Sequence, residues 1–270
     1  MNRQIVISAT LLLALLSDPC GAQDTAKAKA SSQIPLAHKR REELKLKHDS
    51  FTFVRIKYSG VNGRSSTWAT DYPDSDRAFS ARLQKEIGLK ADPKGIVLAL
   101  SDPKLKEYPF AYLAEGGSLH LAQAEADALR AYLEGGGFLM VDDFWGEAEW
   151  TNLALQIKKA FPQHKFIELP LEHPVFHSFY DIRAKPQVPS IHFALTRRNS
   201  GVTWERDDAK VPHYRGLFDG KGRLMAIFCH NTDLGDGWER QGIDEHYTQE
   251  FSLKRAFPMG INIVVFALSQ

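Results

Sequence analysis

The chain has 270 residues, 43% of them hydrophobic, and a formal net charge of +1 at pH 7. A general nucleic-acid binder concentrates basic residues on its surface, so this charge balance argues against nucleic acid as a partner. The length and the apolar content suffice for one large domain with a sizeable core.

The first 22 residues have the layout of a secretory signal peptide. Arg3 precedes the apolar stretch Ile5–Leu16, and Cys20-Gly21-Ala22 offers small residues where a signal peptidase reads. The stretch is about 12 residues long, well short of the ~20 that a membrane-spanning helix needs. We therefore expect cleavage near Ala22, export to the periplasm or the extracellular space, and no transmembrane helix in the mature chain. Lipoprotein anchoring at Cys20 is the alternative, for which Ser17-Asp18-Pro19 is a poor lead-in.

Residues 23–50 are predicted to be a flexible, charged linker. Their early part is rich in Ala, Lys and Ser, and Lys39–Lys47 mixes both signs of charge with few large apolar groups. Such a segment buries too little apolar surface to offset the entropy lost on ordering. The mature chain keeps one cysteine, Cys229, so no intrachain disulfide can form.

Strands and helices alternate from residue 51 onward. The alternation of apolar and polar residues in Phe51–Tyr58 predicts a half-buried strand. Phe79, Leu83 and Ile87 recur at four-residue spacing, which predicts a helix that ends near Gly88. Further buried strands are predicted at Ile96–Leu100, Phe110–Ala114 and Phe138–Val141, and apolar stripes predict helices over Leu121–Leu133 and Trp150–Phe161.

The second half has a more broken pattern. Strands are predicted at Phe166–Leu169, Ile191–Leu195 and Val202–Glu205, a hairpin at His213–Phe218 and Arg223–Cys229, and a final helix from near Pro258. The alternation predicts one α/β domain over residues 51–270. We expect a three-layer, doubly wound, mainly parallel sheet with helices on both faces and an added hairpin in the C-terminal half.

Several stretches resemble a known family. They are WATDYPDSDRAFSARL, YLEGGGFLMVDDFWGEAEW, HPVFHSFYDI, CHNTDLGDGWE and FPMGINIVVFAL. Together they resemble the bacterial domain of unknown function 4159 family over nearly all of residues 51–270. The resemblance implies a class I glutamine-amidotransferase-like, flavodoxin-type architecture, and it supplies no established activity. Some longer relatives carry membrane-anchored segments, which suggests an envelope-complex partner.

An amidotransferase-type enzyme needs a cysteine on a strand-to-helix turn and a histidine within hydrogen-bond reach. The turn after Phe138–Val141 presents Asp142 and Asp143 instead. Cys229 and His230 are adjacent, and neighbouring strand residues point to opposite faces. No Cys–His catalytic pair is recognisable, so whether the protein is an enzyme stays open, and we expect Cys229 to be a buried packing residue.

Three segments combine tryptophan with several carboxylates: Trp68–Asp76, Val141–Trp150 and His230–Glu239. Each follows a short apolar run, so parallel strands would bring all three to the carboxyl edge of the sheet, where α/β folds bind ligands. The placement of the third segment depends on the direction of the strand before His230, because that strand is one arm of the predicted hairpin. The candidate ligand-binding residues are Trp68, Asp71, Asp142, Asp143, Trp145, His230, Asp233, Asp236 and Trp238.

Ordinary structural roles compete with binding at these positions. Asp74 or Asp76 is expected to cap the helix that follows, and one of Asp142 and Asp143 can do the same. Asp233 and Asp236 precede no long predicted helix, which leaves them freer to bind. The tryptophans can form a sugar platform or cover the core.

A divalent metal is a possible cofactor. His230 and His192 with Asp142 could form a mixed nitrogen–oxygen site for zinc, and hydrogen bonding within the fold is the competing role for these histidines.

The leading hypothesis is an exported domain that binds a polar ligand, such as a carbohydrate, or a partner protein in an acidic, Trp-lined crevice. The first alternative is a carboxylate- or metal-dependent hydrolase that uses Asp142 or Asp143 with His230 and Asp233. The second alternative is a scaffold component of an envelope complex.

Overall fold

The computed structural model describes residues 50–60 and 67–270. The predicted signal peptide and all but the last residue of the predicted linker lie outside these ranges.

The centre of the domain is a seven-stranded sheet, accompanied by a small two-stranded one. The strands are β1 (Val54–Lys57), β2 (Ser59–Gly60), β3 (Ile96–Ala99), β4 (Phe110–Ala114), β5 (Leu119–His120), β6 (Phe138–Asp142), β7 (Phe166–Glu168), β8 (His213–Phe218) and β9 (Leu224–His230). The large sheet has the order β3-β1-β4-β6-β9-β8-β7, and β2 pairs with β5. The first five strands of that order are parallel, whereas β8 runs antiparallel to both β9 and β7.

Helices connect these strands and cover both faces of the sheet. The α-helices are α1 (Asp74–Ile87), α2 (Gln123–Glu134), α3 (Gly146–Ala160), α4 (Ile191–Thr196), α5 (Leu234–Glu239), α6 (Glu245–Tyr247) and α7 (Phe257–Leu268). A π-helix, Thr248–Ala256, joins α6 to α7, and 3-10 turns occupy Pro103–Glu107, Gly116–Ser118 and Pro174–Phe176.

Two apolar clusters, one on each face of the sheet, form the core. One packs Phe79 and Leu83 of α1 and Ile261 of α7 against the sheet. The other packs Leu129 of α2 and Leu153 of α3 against the opposite face. The predicted three-layer, mainly parallel α/β fold is confirmed, as is the hairpin, which is β8 and β9.

Two predicted strands are wrong. Ile191–Leu195 lies in α4, where Ile191 and Ala194 share the buried face, because a short apolar run fits a strand and a helix turn equally well. Val202–Glu205 forms no strand. Its side chains bond to an earlier segment of the chain instead: Thr203 Oγ1 donates to Gln187 Oε1, and Glu205 Oε1 accepts from the Ser190 amide.

The continuous helical run Glu245–Leu268 is long and apolar enough to cross a membrane by those two criteria alone. Of its apolar 18-residue window, 67% is buried inside the domain, and α7 contributes Ile261, Val264 and Leu268 to the core. We therefore assign this run to the core of the domain.

The first strand is not half-buried, as its alternation predicted, because α1 covers the face that carries Arg55. The Arg55 side chain is fully buried, and its Nε donates to both carboxylate oxygens of Asp76 at 3.0 and 3.1 Å. Asp76 is therefore the partner of a buried cation. The predicted cap is wrong: α1 begins after Pro73, and neither Asp74 nor Asp76 caps it with its side chain.

We expect Asp76→Asn to lower the free energy of unfolding by about 3–5 kcal/mol, because it leaves the Arg55 charge buried without its counter-ion. Urea denaturation measures the change. Asp74→Asn is the matched control two residues away, since the Asp74–Arg77 pair is exposed and separated by 3.7 Å. Its loss should stay below about 1 kcal/mol. Equal effects of the two substitutions would contradict a special role for the buried pair.

Candidate functional site

The three acidic segments meet at the carboxyl edge of the sheet. β6 and β9 are parallel neighbours with Val141 opposite Phe228, so the segments that follow them leave the sheet on the same side. β1 is parallel to β4, and β4 to β6, which places the Trp68–Asp76 segment at that edge as well. The orientation of β9, the weakest step of the sequence argument, is confirmed.

At this edge three carboxylates converge, one from each segment. Asp71, Asp143 and Asp233 each have an oxygen within 4.8 Å of an oxygen of the other two. Asp143 and Asp233 are 7% and 5% exposed. The backbone of Asp71 and Asp143 is left-handed, with φ of 61° and 57°, a conformation that few residues other than glycine adopt without cost. We call Asp71, Asp142, Asp143, Asp233 and Asp236 the acid cluster.

Asp142 is the fully buried member of the acid cluster. Its Oδ2 accepts hydrogen bonds from the Tyr112 hydroxyl at 3.1 Å and the Gly235 amide at 3.0 Å. Its Oδ1 has no hydrogen-bond partner within the described residues. Gly235 allows Asp71 and Tyr112 to approach its backbone closely, because a Cβ at this position would lie only 2.8 Å from both Asp71 Oδ2 and the Tyr112 hydroxyl oxygen.

Burial raises the pKa of Asp71, Asp142, Asp143 and Asp233, and the charges of neighbouring acids add to the effect at Asp71, Asp143 and Asp233. Burial, with the charges of Asp236 and Glu239, raises the pKa of Asp71 to about 8. Burial raises the pKa of Asp142 to about 7, although the Gly235 and Tyr112 hydrogen bonds act in the opposite direction. The pKa values of Asp143 and Asp233 lie well above the usual range for the same two causes.

Asp233 and Asp236 are also engaged in the local structure. Asp233 caps α5 by accepting from the Asp236 amide at 2.7 Å, which the sequence did not indicate because α5 is only six residues long. Asp236 Oδ2 accepts from the Ile191 amide at 2.7 Å and from the Tyr247 hydroxyl at 2.9 Å. Asp236 is therefore the member of the acid cluster that also ties α5 to α4 and α6.

Sequence reasoning missed two carboxyl groups beside the acid cluster. Glu239 groups with Asp71 and Asp236, with an oxygen of each within 4.8 Å of the others. Glu115 follows β4 with a left-handed φ of 53°, and burial together with the Glu149 charge raises its pKa to about 7. Its position directly after an apolar strand is the signal that could have identified it.

Arg55 was also missed, and it holds the segment that carries Asp71. Its Nη1 donates to the carbonyl oxygens of Trp68 and Thr70 at 3.1 and 2.9 Å. Its charge lowers the pKa of Asp71, against the larger effects of burial and neighbouring acids. A single arginine inside the apolar run Phe53–Ile56 was the available signal.

His230 does not join Asp142. Its Nε2 donates to the Gly146 carbonyl at 3.0 Å, its Nδ1 accepts from Arg215 at 2.8 Å, and its ring stacks on Phe144. Burial lowers the pKa of His230 to about 4, so the ring is neutral at pH 7. Both ring nitrogens are occupied, and they lie on the opposite face of the sheet from Asp142.

The other groups of the proposed zinc and cysteine chemistry are also remote from the acid cluster. His192 is exposed on α4. Cys229 is a buried packing residue, as predicted, and burial raises the pKa of its thiol well above the usual value. A buried, protonated thiol is a poor nucleophile.

The tryptophans serve mainly in packing. Trp238 is fully buried, with its ring centroid 4.4 Å from that of Phe79. Trp145 is 4% exposed, and its carbonyl accepts from Arg206 at 2.9 Å. Trp68 is half-buried beside Tyr72. Trp238 and Trp145 thus cover the core and offer no open ring face to a ligand.

A family model described as "Domain of unknown function (DUF4159)" matches residues 52–268. The chain belongs to this family. No curated protein matches the sequence. The span matched by the DUF4159 family contains the whole acid cluster together with Arg55, Tyr112 and Gly235, so the site is built entirely within the family domain.

The raised pKa values predict that ligand-free protein loses stability as pH rises. Asp71 and Asp142 have pKa values of about 8 and about 7 in the folded state, against about 3.9 when unfolded. The folded state therefore binds more protons above about pH 4, and the stabilisation present below that pH is lost as pH passes through about 7–8. Each carboxyl contributes a slope of at most about 1.4 kcal/mol per pH unit.

Urea denaturation between about pH 5 and pH 8 in chelator tests this expectation. Asp142→Asn removes one titrating group while it keeps an oxygen to accept from Tyr112 and Gly235, so the decline should be shallower. An identical pH dependence in both proteins would show that Asp142 contributes nothing to it, contrary to its raised pKa.

Proposed function

We propose that this protein is an exported binding domain whose ligand occupies the acid cluster and carries positive charge. One observation carries the proposal: Asp71, Asp143 and Asp233, from three separate segments, bring their carboxylate oxygens within 4.8 Å of one another. A cationic ligand would neutralise them. The N-terminal sequence, with its signal-peptide layout, supports export.

The cost of this arrangement supports a functional role. Burying like charges together is unfavourable, and left-handed backbone at Asp71 and Asp143 adds to that cost. Folding alone gains nothing from either feature. Binding sites retain such features because the ligand restores the lost stability.

The positions of the tryptophans narrow the class of polar ligand that the sequence predicts. A neutral carbohydrate is recognised by an aromatic face together with hydroxyl-binding groups. Trp145 and Trp238 are buried, which leaves Trp68 as the one half-exposed ring of the three. The chemistry that remains at the site is anionic oxygen, and it favours a cation.

A carboxylate-dependent hydrolase is the second candidate function. The observation in its favour is the pKa of Asp142, about 7, which suits a general base or acid near neutral pH. His230 takes no part in this proposed hydrolysis, because it lies on the other face of the sheet.

Substitution of Asp143 separates a binding role from a structural one. We expect Asp143→Asn to raise the melting temperature of the ligand-free protein, because the buried carboxyl must either keep a charge that Asp71 and Asp233 repel or take up a proton on folding, and a neutral amide avoids both costs. The rise should be at least about 2 °C, the shift that 1 kcal/mol gives in a domain of this size. Differential scanning calorimetry in chelator measures it, with the exposed Asp127→Asn on α2 as control.

The same variants test binding. Divalent cations, spermidine and glucosamine form the cationic panel, and glucose is the neutral probe. The proposed function requires that at least one cation stabilises the wild type and Asp127→Asn more than Asp143→Asn. Stabilisation by glucose alone, or by none of the probes, would refute it.

Turnover of chromogenic ester, phosphate-ester and glycoside substrates tests the hydrolase. If it is correct, Asp142→Asn lowers the rate by at least about 100-fold, the lower range for losing a general base. Activity that survives this substitution, or no turnover by the wild type, would rule out catalysis by Asp142 on these substrate classes.

A further inference from the structure

We infer that the ligand of the acid cluster is a divalent metal cation, bound directly by Asp71, Asp143 and Asp233. This inference rests on the proposed function and names the ligand class of the same site. Its ligand set differs from the mixed site that the sequence suggested, since it contains carboxylate oxygen and no histidine nitrogen.

The spacing of the oxygens fits one metal ion. Hard divalent cations bind carboxylate oxygen at about 2.0–2.6 Å, so two oxygens on one ion lie at most about 5 Å apart. The oxygens of Asp71, Asp143 and Asp233 lie within 4.8 Å of one another. A bulky organic cation would need wider separation of the carboxylates.

Asp143 supplies an independent indication that a ligand binds in this arrangement. Its side chain is more than nine-tenths buried, and no described residue donates a hydrogen bond to its carboxylate. Asp71 Oδ2 and Asp142 Oδ1 are likewise buried without a donor among the described residues. Buried carboxylates are normally compensated by hydrogen bonds, an ion pair or a metal.

The arginines near the acid cluster are committed elsewhere. Arg55 directs its donors to Asp76, to Ser75 and to the backbone. Arg240 pairs with Glu239 at 2.9 Å and with Asp236 at 3.3 Å. Within the described part of the chain, neither forms an ion pair with Asp71, Asp143 or Asp233, so these carboxylates have no protein counter-ion there.

Gly235 lies in close contact with two of the proposed ligands. A Cβ there would stand 2.8 Å from Asp71 Oδ2 and 3.6 Å from Asp233 Oδ1. An alanine methyl would therefore occupy space next to two of the three proposed ligands. All-oxygen coordination favours Ca²⁺, Mg²⁺ or Mn²⁺ over softer metals.

The adjacent group of Asp71, Asp236 and Glu239 carries no second site. Asp236 is satisfied by the Ile191 amide and the Tyr247 hydroxyl, and Glu239 pairs with Arg240. Asp236 and Glu239 are therefore engaged by protein groups, and Asp71 is the member that this group shares with the proposed metal site.

Calorimetric titration of metal-free protein with CaCl₂, MgCl₂ and MnCl₂ tests the inference. At least one salt should give saturable binding to a single site and raise the melting temperature. In Asp143→Asn the affinity should fall at least about tenfold, the lower bound for losing even a supporting group around a metal. Asp127→Asn should bind as the wild type does.

Gly235→Ala is the second variant, because it keeps every carboxylate while its added methyl group crowds Asp71 Oδ2 and the Tyr112 hydroxyl. Weaker cation binding, with circular dichroism like that of the wild type, supports the assigned position. Unchanged affinity in both Gly235→Ala and Asp143→Asn would place the ion elsewhere and overturn the inference.

The controls distinguish failure of this inference from failure of the proposed function. If no divalent cation binds the wild type, but spermidine or glucosamine stabilises it and not Asp143→Asn, the metal assignment is wrong and the binding crevice stands. If no cation of either kind binds, both are wrong.

Discussion

The buried guanidinium of Arg55 is the interaction on which the site depends. It lies in the first strand of the parallel sheet, pairs with Asp76 of α1, and donates to the Trp68 and Thr70 carbonyls. The guanidinium of Arg55 thus joins β1 and α1 to the Trp68–Asp76 segment, which carries Asp71. Burial of an arginine is tolerated only when its donors are satisfied, and here all three nitrogens have partners. Because of these contacts, Asp71 is held at the edge of the sheet rather than left on a mobile loop.

The sheet positions the other carboxylates of the acid cluster. Parallel β6 and β9 deliver Asp143 and Asp233 to the same edge, and Asp142 is held below them by Tyr112 and Gly235. Apolar clusters on both faces stabilise these strands independently of the edge. The domain can therefore tolerate local electrostatic repulsion, because the apolar core offsets its cost. This division between a stable scaffold and an unfavourable site is typical of proteins that bind ligands.

Local patterns predicted the parts of the structure that depend on local order. The strand Phe138–Asp142 and the helix that follows it were readable from apolar runs and periodicity, and so was the meeting of three segments at one edge. Contacts between distant elements were not readable. Arg55 is buried because α1 covers it, and His230 misses Asp142 because the register of β9 against β6 sets which residues share a face. Side-chain alternation was visible in both strands, yet their relative register is a tertiary property.

The left-handed backbone at Asp71 and Asp143 restricts which residues can replace them in related sequences. Asparagine, aspartate and glycine tolerate this conformation best among the amino acids. Glutamate would preserve the charge, and Glu115 adopts the same backbone conformation, but the longer side chain would place its oxygens elsewhere. A relative that has abandoned the site should therefore carry asparagine or glycine at these two positions. Such relatives would lose the negative charge of the site but keep the backbone conformation of its loops.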